Sequence, residues 1–252
     1  MNKYLKKQAT GALGVLLLVF FVGCGNNDSR TEIIVVRHGQ TDWNVIKRTQ
    51  GHTNVPLNAV GIKQAEVVAD YLANNYMAPN IVAIYSSTLS RAYTTAHIIA
   101  EKIGAPVYQD VRLCGYRKGI FQGLTRAEIK EQFPDIAHQK VYDDSGQIPG
   151  AERRVEMEKR VSDALREIAE KHHGKRVVVV SHGGPLRAMY HWIKGEKNDR
   201  TLPYKKMKNA AIGIISVVND VWKVDEWAND EHLKVLEPRP DVVQQLEREM
   251  AE

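Results

Sequence analysis

The chain has 252 residues, 43% of them hydrophobic and 26% charged, a balance that places it among globular proteins and away from disordered chains. The length suits one sizeable α/β domain. The formal net charge is +5, but Lys3, Lys6 and Lys7 stand in a segment without acidic residues, so the remainder carries +5 − 3 = +2. With no basic stripe interleaved with aromatic residues, the charge pattern excludes a nucleic-acid partner.

The chain opens with its own grammar. Met1 to Lys7 is basic, and Gly11 to Val22 is apolar but shorter than the roughly 20 residues of a membrane span. The stretch Phe21-Val22-Gly23-Cys24, followed by small polar residues, resembles a bacterial lipobox. That resemblance implies a lipoprotein signal peptide over 1–23, a lipidated Cys24, and a tether over 24–31. The alternative is an uncleaved N-terminal anchor. Both readings tether the domain to a membrane of the cell envelope, outside the cytoplasm. The chain has two cysteines, so a lipidated Cys24 leaves Cys114 without an intramolecular partner, and the domain must be stable without disulfides.

A folded domain is expected over 32–236. Ile33-Ile34-Val35-Val36 is a β-branched run that predicts a strand buried on both faces. It ends at Arg37-His38-Gly39. Helical spacing of Ile62, Ala65, Val68, Ala69 and Leu72 predicts a helix over 59–75, and Ile81 to Tyr85 a second strand. A helix over 89–103 is closed by Gly104 and followed by Pro106. Residues 105–150 read as an irregular lobe over the sheet edge, with a short helix at 125–132. Glu152 to Lys171 is a long charged helix, and His172 and His173 are its solvated end. Lys175 to Ser181 contains Val177-Val178-Val179-Val180 and predicts the third strong strand, ending at Ser181-His182-Gly183-Gly184; a helix follows over 186–193. Residues 210–219 and 221–227 form a closing pair of strands, and 237–252 is a charged tail.

Strands alternating with helices predict a three-layer α/β sandwich, with a mostly parallel sheet and helices on both faces. Ligands of such sheets bind at the carboxyl ends of the strands. Arg37, His38, Asn44, Arg91 and His182 all follow strands there. Two guanidiniums facing one pocket suit phosphate oxygens, and a neutral imidazole among them can attack phosphorus. Zinc is disfavoured, since His38 and His182 lack a third-ligand motif such as H-E-x-x-H. Singly, each of these residues has an ordinary structural use: an Arg-His-Gly tripeptide is a weak signal, and Arg91 alone could be a helix-surface charge.

Taken together the motifs are specific. Arg37-His38-Gly39-Gln40-Thr41-Asp42-Trp43-Asn44, with Gln50-Gly51, Pro56-Leu57, Gly61 and Gln64-Ala65, resembles the first motif of the histidine phosphatase superfamily, in its phosphoglycerate-mutase-like branch. Ser86 to Ala96 resembles the second motif, Val178 to Gly184 the third, and Asn229 to Leu233 the usual C-terminal ending. The resemblance implies His38 as the phosphorylated nucleophile, Arg37, Arg91 and His182 as the phosphate-binding set, and Asn44 as a further contact to the transferred group. It implies no metal and no organic cofactor. The partner it implies is a phosphorylated small-molecule or protein substrate.

One departure stands out. The family's general acid is a glutamate four residues before a Gly-x-x-x-Gly pair, here Gly119 and Gly123; Gly115 takes its place. Glu152 is the best substitute candidate, with Asp110 and Glu128 behind it. Three functions therefore stay open: an envelope-tethered phosphatase, a catalytically impaired module that binds phosphorylated ligands, and a phosphoglycerate mutase. Export from the cytosol argues against the last.

Overall fold

The structure, a computed structural model, describes residues 30–76, 81–139, 148–196 and 203–237. The expected signal peptide, Cys24, most of the expected tether and the tail beyond 237 lie outside the described residues. Among the described residues no helix is long and apolar enough to cross a membrane.

Six strands form one mixed sheet in the order β3-β2-β4-β1-β5-β6. They are β1 (Thr31–Arg37), β2 (Ile81–Ser86), β3 (Val107–Gln109), β4 (Arg176–Ser181), β5 (Ile212–Val218) and β6 (Val221–Asn229). The first four run parallel, and β5 and β6 close the sheet as an antiparallel pair. The helices are α1 (Asp42–Val45), α2 (Ala59–Asn75), α3 (Ser90–Ile103), α4 (Arg126–Gln132), α5 (Arg154–Lys171) and α6 (Gly183–Ile193).

Period-two alternation sorts the side chains of the sheet between two cores. Ile33, Val35, Ala83, Val177 and Val179 pack under α5 and α6. Ile34, Val36, Ile84, Val178 and Val180 pack under α2 and α3. Ile33 and Ile34 are fully buried, and each such side chain contributes about 1.5–3 kcal/mol over leaving it in water. The two faces explain why these strands read as continuous apolar runs.

The expected elements are present, with instructive edges. Gly104 closes α3 at φ +80°, a left-handed conformation that a side chain would strain. α6 begins at Gly183, three residues before the expected start. Pro185 sits in its first turn, where the missing N–H breaks no intrahelical bond. The lobe is less irregular than expected: β3 adds to the β2 edge, and two 3-10 turns, Val111–Leu113 and Gly119–Phe121, precede α4. Residues 140–147 of the lobe lie outside the described set.

Strand order positions the site. β4 lies between β1 and β2, and its register pairs Arg37 with Ser181 and Ser86 with Val180. Three consecutive carboxyl ends therefore meet at one level. Because β5 runs antiparallel to β1, its N-terminal approach, residues 206–211, reaches the same edge: Ala210 N–H donates to Arg37 O at 2.9 Å. Gly39 and Gly61 face each other so closely that a Cβ on Gly39 would lie 2.4 Å from Gly61 O. This contact clamps the loop after β1 against the start of α2.

Candidate active site

The three strand ends open into a cavity of about 520 Å³, lined among others by Arg37, His38, Asn44, Gln50, Arg91, Gly115 and His182. His38 is 3% exposed, and its ring centroid lies 4.9 Å from that of His182. His38 Nδ1 is 2.7 Å from Gly39 O. A carbonyl only accepts, so the proton is on Nδ1 and the lone pair on Nε2. Burial, then the Arg37 and Arg91 guanidiniums, hold the His38 pKa well below the usual imidazole value. The ring is neutral, the form a nucleophile needs.

His182 is fixed from the other side. Its Nδ1 accepts from Arg91 Nε at 3.3 Å, so its neutral form carries hydrogen on Nε2, which donates to Ser87 Oγ at 2.8 Å. Ser87 Oγ donates in turn to Cys114 Sγ at 3.3 Å and accepts from Leu89 N–H. Burial leads the causes that lower the His182 pKa, followed by Arg91 and His38.

Arg91 is 2% exposed and is held by three partners: His182, Thr53 O at 2.8 Å and Gly51 O at 2.9 Å. Burial pulls its pKa down to about 10, which still leaves it a cation at neutral pH. Arg37 Nη1 donates to Met207 O at 2.7 Å. Gly183 and Gly184 line the cavity as the first turn of α6, whose N–H groups and dipole favour an anion.

Asn44 Oδ1 accepts from Thr41 N–H and from Asn209 Nδ2, both at 3.2 Å, so its amide NH2 is the group directed to the cavity. Asn209 also donates to His38 O at 2.9 Å and Gly39 O at 3.1 Å. Neither Asn209 nor Ser87 was assigned a role in the sequence; the only signal for Asn209 is a polar residue just before an apolar run. Gln50 belongs to the first motif but carries no role in the sequence reading, and it donates to Thr41 Oγ1 at 2.9 Å.

The five residues Arg37, His38, Asn44, Arg91 and His182 are thus brought together, whereas Glu152 is not. It is 6% exposed and does not line the cavity. Arg160 grips it with two bonds, Nε to Oε1 at 2.6 Å and Nη2 to Oε2 at 2.9 Å. Arg160 also donates to the carbonyls of Arg112, Cys114 and Gly115. Glu152 therefore anchors the scaffold behind the pocket, which corrects its expected place as a substitute acid. Asp110 pairs with Arg112 at 2.7 Å, and Glu128 pairs with Arg48 at 2.9 Å while capping α4. Neither lines the cavity, and among the described residues no carboxylate does.

Gly115 does line it. Its carbonyl accepts from His52 Nε2 at 2.8 Å. A Cβ built there meets Gly51 O at 3.4 Å, His182 Cγ at 3.5 Å and Arg91 Nη2 at 3.6 Å, all ordinary contacts, and its φ is not positive. A side chain at 115 would point between His182 and Arg91.

Comparison with known proteins agrees with this geometry. The family model of the histidine phosphatase superfamily (branch 1) matches residues 33–230. A metal-independent phosphoserine phosphatase of Arabidopsis thaliana is 38% identical over 207 residues, covering 81% of this chain and 83% of the relative. Two solved structures superpose over almost their whole length. YhfR of Bacillus stearothermophilus gives a TM-score of 0.71 at 29% identity, covering 81% of this chain and 99% of its own. A mycobacterial glucosyl-3-phosphoglycerate phosphatase gives 0.65 at 31%, covering 78% and 98%. The chain belongs to the histidine phosphatase superfamily, branch 1.

Proposed function

We propose that the chain is a phosphatase that works through a phosphohistidine on His38 and is tethered in the cell envelope by a lipid on Cys24. One observation carries the catalytic half: the Nδ1–H bond to Gly39 O leaves the Nε2 lone pair of a neutral, buried imidazole beside two guanidiniums. Nε2 attacks phosphorus, and the bond to the leaving oxygen breaks on the opposite side. Arg37, Arg91, the Asn44 amide and the first turn of α6 carry the charge of the three equatorial oxygens, and His182, which accepts from Arg91 Nε, holds that guanidinium in place. Water then cleaves the P–N bond and releases phosphate. The phosphatase names of the similar proteins support the hydrolytic outcome.

Among the described residues no carboxylate lines the cavity to protonate a leaving oxygen, and glycine stands at position 115. The reaction therefore favours leaving groups that depart as stable anions, such as phenolates and carboxylates. Gly115 also favours a second reading, a module that binds phosphorylated ligands without turning them over. One experiment separates the two. Rapid quenching with a labelled aryl phosphate should trap an acid-labile, base-stable phosphoprotein that His38→Ala abolishes. Label that persists in His38→Ala would remove His38 from its role, and binding without label or turnover would favour the module.

The envelope half rests on the lipobox-like stretch ending at Cys24. Metabolic palmitate labelling should mark the full chain and vanish in Cys24→Ala. A fully soluble, unlabelled protein would contradict the tether.

A further inference from the structure

The catalytic cavity does not end at the phosphoryl site. A second cavity of about 760 Å³ adjoins it, sharing Arg37, Asn44, Arg48, Gln50, Lys118 and Lys206. It adds Lys47, Arg126 and the Trp43 ring, and among the described residues no Asp or Glu lines it either. Small-molecule sites typically occupy roughly 300–1,000 Å³, so the pair has room for far more than one phosphoryl group. Arg48 is paired with Glu128, but Lys47, Arg126 and Lys206 add positive charge to a lining without Asp or Glu among the described residues, and such a field concentrates polyanions.

The cations, and the lack of a carboxylate among the described lining residues, place two separate demands on the substrate. It must carry a second anionic group beyond the transferred phosphoryl. It must also lose a group that needs no proton. An alkyl phosphate bearing a carboxylate meets the first demand but leaves as an alkoxide, whose conjugate acid is about as weak as water, pKa about 15.7. An acyl phosphate meets the second demand but brings little extra charge. A diphosphate meets both, since a phosphate leaving group titrates near pH 6 and departs as an anion.

We infer that the substrate class of this site is a phosphoanhydride, its terminal phosphoryl facing His38 and its remaining phosphate held by Lys118 and Lys206. This rests on the phosphatase reading above. His38 Nε2 forms the P–N bond as the bond from phosphorus to the bridging oxygen breaks. The electron pair stays on that oxygen, which leaves as phosphate against the lysines. Water then attacks the phosphohistidine, giving inorganic phosphate and a proton to solvent. Lys206 is exposed and Lys118 stacks its ammonium 4.8 Å from the Tyr116 ring, so both reach the cavity from its rim.

The test uses the full chain in detergent with EDTA present, and compares pyrophosphate, ADP, acetyl phosphate, phosphoserine and p-nitrophenyl phosphate by kcat/KM. Pyrophosphate or ADP should exceed phosphoserine at least 100-fold and acetyl phosphate at least tenfold; which of the two leads tells whether an organic group fills the Trp43 end. Lys206→Ala should cut the diphosphate value at least tenfold more than the p-nitrophenyl phosphate value, and Lys206→Arg should restore it. Phosphoserine or acetyl phosphate turned over better than both diphosphates overturns the inference while leaving the phosphatase intact. An undiminished diphosphate preference in Lys206→Ala and Lys118→Ala also overturns it. No turnover of any of the five, with no phosphoenzyme, overturns the phosphatase reading as well.

Discussion

Gly115→Glu should place a carboxylic acid in a cavity that has none among its described lining residues. The backbone at 115 accepts a side chain: its φ is not positive, and the nearest atom to a built Cβ is 3.4 Å away. The Cβ direction carries a carboxyl between His182 and Arg91, to the edge of the phosphoryl site. General acid catalysis contributes about 10²–10⁴-fold, which is about 2.7–5.4 kcal/mol of barrier. Arg91 opposes part of that gain, because its charge favours the deprotonated carboxylate. The bound phosphoryl dianion pushes the other way. The gain in kcat/KM for glycerol 2-phosphate should therefore lie near the lower figure, about 100-fold, and be largest on the acidic side of neutrality. The rate with p-nitrophenyl phosphate, whose leaving group needs no proton, should change by less than about tenfold. Gly115→Gln fills the same space without an acid and sets the baseline. Glutamate no better than glutamine on the alkyl ester would refute the idea that position 115 addresses the leaving oxygen.

Two further outcomes follow from the burial pattern. Glu152→Gln breaks a buried pair with Arg160 and should cost up to about 3–5 kcal/mol in chemical denaturation, with alkyl and aryl phosphate rates falling together. Unchanged stability with a selective alkyl loss would return Glu152 to catalysis. His38 and His182 have folded pKa values well below 6.5, so the unfolded chain binds more protons between the folded values and 6.5. Their contribution to stability is complete above about pH 6.5 and declines as pH falls toward the folded values. His38→Asn should flatten that decline between pH 6.5 and 5; an identical slope in wild type and variant would show that the ring titrates in the folded protein as it does in the unfolded chain.

The parts of this protein legible in its sequence are those written in local periodicity. β-branched runs at 33–36 and 177–180 mark the buried strands, and helical spacing marks α2, α3 and α5, because each pattern is set by residues within a few positions of one another. The carboxyl-end rule then placed His38, Arg91 and His182 at one edge without coordinates. What tertiary structure alone decided are pairings between distant residues. Glu152 reads as a free acid until the fold sets it against Arg160 and the carbonyls of 112, 114 and 115. Asn209 reaches Asn44, 165 positions away, only because β5 runs antiparallel and starts at the catalytic edge. The glycine at 115 could have been a strained turn; the backbone shows an ordinary φ with its Cβ direction open to the site. Beyond Arg37 and Arg91, the cations of the two cavities come from α1's flank, the lobe, α6 and the approach to β5, segments that share no sequence pattern and converge only when the sheet is assembled.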